Sequence, residues 1–144
     1  MRYAAFLALF AAPLAAEPAF TIDAEHSGFR EYYCVTKGTI TNTGTAPLRE
    51  INGYFIIFEN GEETARSRGT SFLNLEPGQS VEALSEAPQA PCDTATSYTF
   101  IVNACMEGNS FMDRAECAAM IAPAGRVETV IPRPWVRPRV GMAA

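Results

Sequence analysis

A small antiparallel β-sandwich is the fold this sequence predicts, and three observations carry it. Apolar residues alternate or run in short blocks bounded by turn residues, most clearly over residues 32–41, 48–59 and 97–106. The punctuation between blocks, Asn42-Thr43-Gly44, Asn60-Gly61 and Pro77-Gly78, is that of hairpins and tight turns. No long amphipathic helix interrupts the pattern. About seven short strands are expected.

The N-terminus comes first. Met1-Arg2-Tyr3 is followed by the apolar run AAFLALFAAPLAA and then Glu17-Pro18. One positive charge, a short apolar stretch and small residues at its end read as a secretory signal peptide, residues 1–16. The run is shorter than the ~20 apolar residues that span a bilayer. No cysteine lies near the expected cleavage point to take a lipid. Cleavage after Ala16 leaves 144 − 16 = 128 residues, one domain's worth. We expect a sandwich domain over 17–131 and a Pro/Arg-rich extended tail over 132–144.

Residues 19–24 read as a first, edge strand, with Phe20 and Ile22 alternating with Thr21 and Asp23; His26-Ser27-Gly28 reads as a turn. Over 32–41, Tyr32, Cys34, Gly38 and Ile40 share the better core face. The block at 48–59 contains Tyr54-Phe55-Ile56-Ile57-Phe58, apolar on both faces, so it is expected to be central and covered on both sides. Gly53 within it marks a bulge or a close backbone approach. Residues 62–68 return as a polar edge strand, and 70–75 continue it. A short strand follows at 79–84 and a loop at 85–96, set by Pro88 and Pro91. Over 97–106, Tyr98, Phe100, Val102 and Ala104 share a face. Residues 107–116 form a polar connection leading into a possible helical turn, and either 117–122 or 127–131 supplies the last strand. Pro132, Pro134 and Pro138 favour an extended path for the tail.

Charge is uneven. Residues 17–122 carry 15 acids and 6 bases, a balance of −9; residues 123–144 carry 4 Arg and 1 Glu, a balance of +3. An acidic body repels phosphates, which argues against nucleic acid as a partner. The basic tail suits an acidic protein surface or peripheral contact with an anionic membrane. Nothing after Ala16 is apolar enough for a transmembrane segment.

Cys34, Cys92, Cys105 and Cys117 make an even count in a chain read as exported, which predicts two disulfides; they are scattered and contain no C-x-x-C pair of the kind structural zinc sites use. Four cysteines allow three pairings.

Signals for chemistry are weak. His26 is the only histidine and reads as a surface turn residue, so a nucleophile-base pair has no base. Glu62-Glu63 and Asp113 with Glu116 supply carboxylate pairs, which a solvated acidic face explains. Met106, Met112 and Met120 surround Cys105 and Cys117; thioethers hold Cu(I), but methionine also fills irregular cores. No cofactor, catalytic residue or metal ligand set is expected. The tail Arg133-Pro134-Trp135-Val136-Arg137-Pro138-Arg139 is the most unusual stretch. Trp and Arg are enriched in interface hot spots, and a polyproline path is pre-ordered for docking.

Residues 37–84 resemble the FxLYD-type immunoglobulin-like domains of bacterial envelopes. Phe55-Ile56-Ile57-Phe58-Glu59 stands where their name-giving motif falls, and Leu75-Glu76-Pro77-Gly78-Gln79-Ser80 matches their Pro-Gly corner. The resemblance implies an immunoglobulin-like sandwich and supplies no catalytic residues. It also implies a pairing. In that fold the second and sixth strands run the same way, so Cys34 and Cys92 lie at one end, and Cys105 and Cys117 at the other. Cys34–Cys92 and Cys105–Cys117 are therefore expected. The departures from the family are the cysteines, the 107–116 connection and the tail. We therefore expect a periplasmic or secreted, non-catalytic interaction module, an accessory subunit of an envelope assembly. Its partner, another envelope protein, would be contacted by Met112, Arg114, Arg133, Trp135, Arg137 and Arg139. The alternative is an inhibitor or immunity protein that plugs a partner's cleft with the 105–117 loop.

Overall fold

The computed structural model describes residues 18–30, 32–88 and 92–134. The expected signal peptide at 1–16 and the tail from Trp135, with Arg137 and Arg139, lie outside the described residues. Among the described residues, ten strands form two packed sheets, accompanied by one short helix. The strands are β1 (Phe20–Arg30), β2 (Tyr33–Asn42), β3 (Leu48–Glu59), β4 (Glu62–Arg66), β5 (Thr70–Leu75), β6 (Ser80–Pro88), β7 (Ser97–Glu107), β8 (Ser110–Phe111), β9 (Ile121–Pro123) and β10 (Val127–Pro132). The helix, α1, is Arg114–Ala119. One sheet runs β6-β2-β1-β9; the other runs β10-β7-β3-β4, with β5 also on β3 and β8 on β7.

The disulfides are Cys34–Cys92 and Cys105–Cys117, the expected pairs at opposite ends of the sandwich. In the chain-entropy account the loop of 58 residues is worth about 4 kcal/mol and the loop of 12 about 3 kcal/mol. Two disulfides are the mark of an oxidising, extracytoplasmic compartment. Among the described residues no helix is long and apolar enough to cross a membrane.

The core lies between the sheets. Phe20, Ile22, Cys34 and Ile40 meet Ile51, Phe55, Phe72, Tyr98 and Phe100, all fully buried. Asn60-Gly61 joins β3 to β4 as a two-residue hairpin, with Glu59 opposite Glu62 and φ of 49° and 85° at the two turn residues. Asn42 ends β2 from inside: its side-chain amide donates to the Ala46 and Leu75 carbonyls, and its oxygen accepts from the Gly44 amide. Gly53 is a close approach, since a Cβ there would sit on the Ile101 carbonyl oxygen and the Phe100 ring.

The bulge beside Gly53 belongs to the facing strand. Asn52 pairs with Ala104 and Gly53 with Val102, so Asn103 is the extra residue of β7. Its amide donates to the Asn52 side-chain oxygen at 3.2 Å. The extra residue reverses the alternation, so Cys105, rather than the expected Ala104, follows Val102 into the core.

Other expectations are corrected. β1 runs through His26-Ser27-Gly28, which form a bulge opposite β2 instead of a turn. Nor is β1 an edge, because β9 pairs with its outer side. Tyr32, expected on a core face, precedes β2 and is 85% exposed. β6 continues to Pro88, so the loop begins later than residue 85. β3 is covered on one face only; on the other, Ile56 and Ile101 are buried within the sheet, Ile101 paired with Tyr54 and Ile131 and Ile56 with Thr99 and Arg66. Of the two candidate last strands, 127–131 is strand β10, whereas 117–119 is helix and only Ile121 and Ala122 of 117–122 are strand, in β9. β9 pairs parallel to β1, and β10 parallel to β7, alongside the antiparallel pairings that make up the rest. Cys117 sits in α1 and opens no strand.

At the opposite edge the sheets are stitched together. The Arg68 amide donates to the Glu86 carbonyl at 2.8 Å, and the Thr70 hydroxyl to the Leu84 carbonyl at 3.0 Å. The Arg68 guanidinium lies 5.0 Å over the Tyr33 ring.

The Tyr98 hydroxyl is buried without a hydrogen-bond partner among the described residues, and burial pushes its pKa above the ordinary tyrosine value. Tyr98→Phe is therefore expected to leave stability unchanged or raise it by about 1 kcal/mol, since only an unpaired hydroxyl is lost. Between the ordinary value of about 10 and the raised one, the unfolded chain gives up the proton first, so wild-type stability falls as pH rises. Tyr98→Phe removes that share of the loss. Denaturant melts near neutral pH and at about pH 11 check both points.

Candidate functional site

The most distinctive surface lies at the Cys105–Cys117 end. β7 ends at Glu107, Gly108-Asn109 turns the chain, and β8 returns with Glu107 opposite Ser110. Arg49 holds this turn through its guanidinium, which donates to the Asn109 side-chain oxygen at 2.5 Å. The Met112 amide donates to the Cys105 carbonyl at 2.9 Å. Asp113 then caps α1, its carboxylate accepting from the Glu116 amide at 3.0 Å. That Asp-x-x-Glu spacing is the capping-box pattern. Cys117 turns inward from α1, and its disulfide pins the helix over the end of β7.

The chain returns through β9 and β10 and leaves beside β7, where the Arg133 amide donates to the Val102 carbonyl at 2.8 Å. This brings the Arg133 carbonyl within 2.9 Å of the Arg114 guanidinium, which donates to it. The 105–117 loop and the start of the tail, separate in sequence, thus line one groove of about 760 Å³. Ala104, Met112, Pro132 and Pro134 supply apolar lining, with Asp113, Arg114 and Arg133 among them. Phe111 stands at the groove 74% exposed. Of the expected contact residues, Met112, Arg114 and Arg133 are brought together; Trp135, Arg137 and Arg139 lie outside the described residues. The sequence reading passed over Phe111. Its signal was an aromatic side chain beside Met112 in a connection otherwise mostly polar.

The groove presents apolar surface and guanidinium groups. It contains no histidine and no free thiol. Such a surface suits a segment that is itself part apolar and part acidic.

The other candidates have structural occupations. Glu63 is bound by Arg66, whose hydrogen bond holds the carboxylate below its usual pKa, the opposite of what a general acid needs. Asp113 is committed to its cap. Met112 and Met120 pack against the core. Glu25 and Lys37 pair across β1 and β2 at 2.8 Å on the outer face, which lowers the carboxylate's pKa and raises the ammonium's.

His26 is placed differently from expectation. It lies on β1, half-buried, with Nδ1 3.0 Å from the Cys92 sulfur and 3.6 Å from the Cys34 sulfur. The Phe29 ring packs edge-on against it at 5.2 Å. The alternation Phe20, Ile22, Ala24, His26 pointed inward and was the signal available in the sequence.

Comparison of the chain with protein-family models, with curated proteins and with solved structures finds no match.

Proposed function

We propose that this chain is a non-catalytic protein-interaction module, exported to the bacterial periplasm or beyond, where it serves as an accessory subunit of an envelope assembly. The observation that carries this reading is the convergence of Phe111, Met112, Arg114 and Arg133 on one groove. The two disulfides support an oxidising compartment, and the likeness of residues 37–84 to FxLYD-type domains agrees with an envelope setting. The partner segment that fits the groove is part apolar and part acidic.

The test is quantitative capture of one partner from native envelope extract by wild-type chain and by groove variants. Phe111→Asp and Arg114→Ala are each expected to weaken capture of that same partner by roughly 30-fold, the loss of about 2 kcal/mol typical of a hot spot. Phe111 is exposed and Arg114 is half-buried at the start of α1, both outside the buried core, so the variants are expected to retain the fold. Equal capture by wild type and both variants would sink the docking role.

The alternative is an inhibitor that plugs a cleft. It draws on the exposure of Phe111 on a loop closed by the Cys105–Cys117 bridge. Deleting residues 132–144 separates the two readings. An accessory subunit loses its association, whereas an inhibitor retains its effect.

A further inference from the structure

Independently of the docking reading, we propose that His26, Cys34 and Cys92 form a redox-gated site for a thiophilic divalent cation of the zinc class. The disulfide is its closed form.

Three donor atoms meet at one end of the sandwich. The His26 Nδ1 and the two cysteine sulfurs all lie within 4.8 Å of one another. A tetrahedral site with zinc–sulfur bonds of about 2.3 Å and zinc–nitrogen bonds of about 2.0–2.1 Å separates nitrogen from sulfur by roughly 3.6 Å. His26 Nδ1 already stands 3.6 Å from the Cys34 sulfur and 3.0 Å from that of Cys92. Once the sulfur–sulfur bond is broken, the thiolates need to part only to roughly 3.8 Å, the sulfur–sulfur spacing that the same bond lengths imply.

The backbone that holds these donors is defined. His26 pairs with Thr36 just before the β1 bulge, and Cys34 pairs with Phe29 just after it. Both sulfurs are shut away from solvent, whereas the imidazole is half-buried. On its open side lies a polar depression of about 370 Å³, lined by Asp23, Glu25, His26, Asp93 and Arg126. Water can supply the fourth ligand from there. A dry pair of thiolates and one imidazole is a donor set that selects zinc-like ions over hard cations.

The chemistry balances with an external dithiol as reductant. Its two thiol groups become a disulfide, and the two electrons and two protons convert Cys34–Cys92 to two thiols. The metal ion then displaces both thiol protons and binds the two thiolate sulfurs and the lone pair of His26 Nδ1, releasing two protons to solvent. Exchange with an external disulfide reverses this: it takes the two electrons, picks up two protons to become two thiols, re-forms Cys34–Cys92 and releases the ion. Cys105–Cys117, at the far end and without a histidine, is an internal control.

The test uses the full chain, reduced with a phosphine and titrated under argon with Co²⁺ alone. The expected result is one equivalent bound, with a thiolate-to-cobalt charge-transfer band and tetrahedral visible bands that Zn²⁺ abolishes. His26→Gln is expected to weaken binding by more than about 100-fold, beyond what loss of an outer-shell partner costs. Cys105→Ser/Cys117→Ser is expected to retain it. Should reduction unfold the chain, Zn²⁺ restores the strand signal in circular dichroism for wild type and leaves His26→Gln unfolded. Equal cobalt affinity in His26→Gln overturns the proposal. So does a folded reduced chain without the charge-transfer band, or an unfolded one that Zn²⁺ does not rescue.

Discussion

Truncating Phe55 to alanine is expected to remove about 3–5 kcal/mol of stability, the range for deleting a buried aromatic ring. Phe55 is fully buried at the centre of β3. Its ring meets Tyr98 edge-on at 6.1 Å and Phe100 at 5.1 Å. Its tip lies against Gly38 of the facing sheet, where even a Cβ would come within 2.7 Å of the ring. The aromatic side chain and the glycine fill one space from two sheets, so neither neighbour can close the void. Urea unfolding followed by circular dichroism measures the loss. A change below about 1 kcal/mol would mean that the inner faces collapse onto the vacancy, against this packing.

Removing the Cys34–Cys92 bridge as Cys34→Ala/Cys92→Ala is expected to cost about 4 kcal/mol, more than the roughly 3 kcal/mol for Cys105→Ala/Cys117→Ala. The order follows from the loops closed, 58 residues against 12. Both sulfur pairs are buried, so alanine leaves a small gap in each case, and the Cys34–Cys92 variant also loses its contact with His26 Nδ1. Guanidinium melts of the two double variants decide it. A larger loss at the shorter loop would show that the bridge over α1 acts through native packing, with chain entropy secondary.

Local chemistry is what the sequence displayed most clearly. Asn60-Gly61 announces its hairpin because both residues accept positive φ, and nothing distant has to be known. Gly53 announces a close approach because it has no Cβ to hold a neighbouring strand away. The disulfide pairs followed from the strand directions that the family resemblance implies, although Cys117 reaches its end of the sandwich on α1 and not on a strand. What could not be read depends on partners. The extra residue at Asn103 shows only when β7 is laid against β3, so a strict alternation put Ala104, and not Cys105, on the face of Tyr98, Phe100 and Val102. His26-Ser27-Gly28 has turn composition, yet the ten-residue β2 beside it keeps the chain extended and converts the glycine into a bulge. Neither parallel pairing carries a local signature. The groove was half legible. The loop and the tail each stood out, but their meeting rests on the Arg133 amide and the Val102 carbonyl, a contact made through β10.

The parallel pairing of β9 with β1 bears on the order of assembly. Phe20 faces Ile121, 121 − 20 = 101 positions along the chain, whereas β1 and β2 are joined by a short turn. Loop-closure entropy grows with the length enclosed, so the β1–β2 hairpin precedes the β1–β9 contact. Until β9 arrives, one side of β1 presents unpaired amides and carbonyls over Phe20–Ile22, a surface on which a second extended chain would pair. The Cys105–Cys117 bridge shortens that interval. It anchors α1 three residues before the Met120 carbonyl, which accepts from the Ala19 and Phe20 amides. The smaller disulfide thus holds in place the segment that closes this edge of β1.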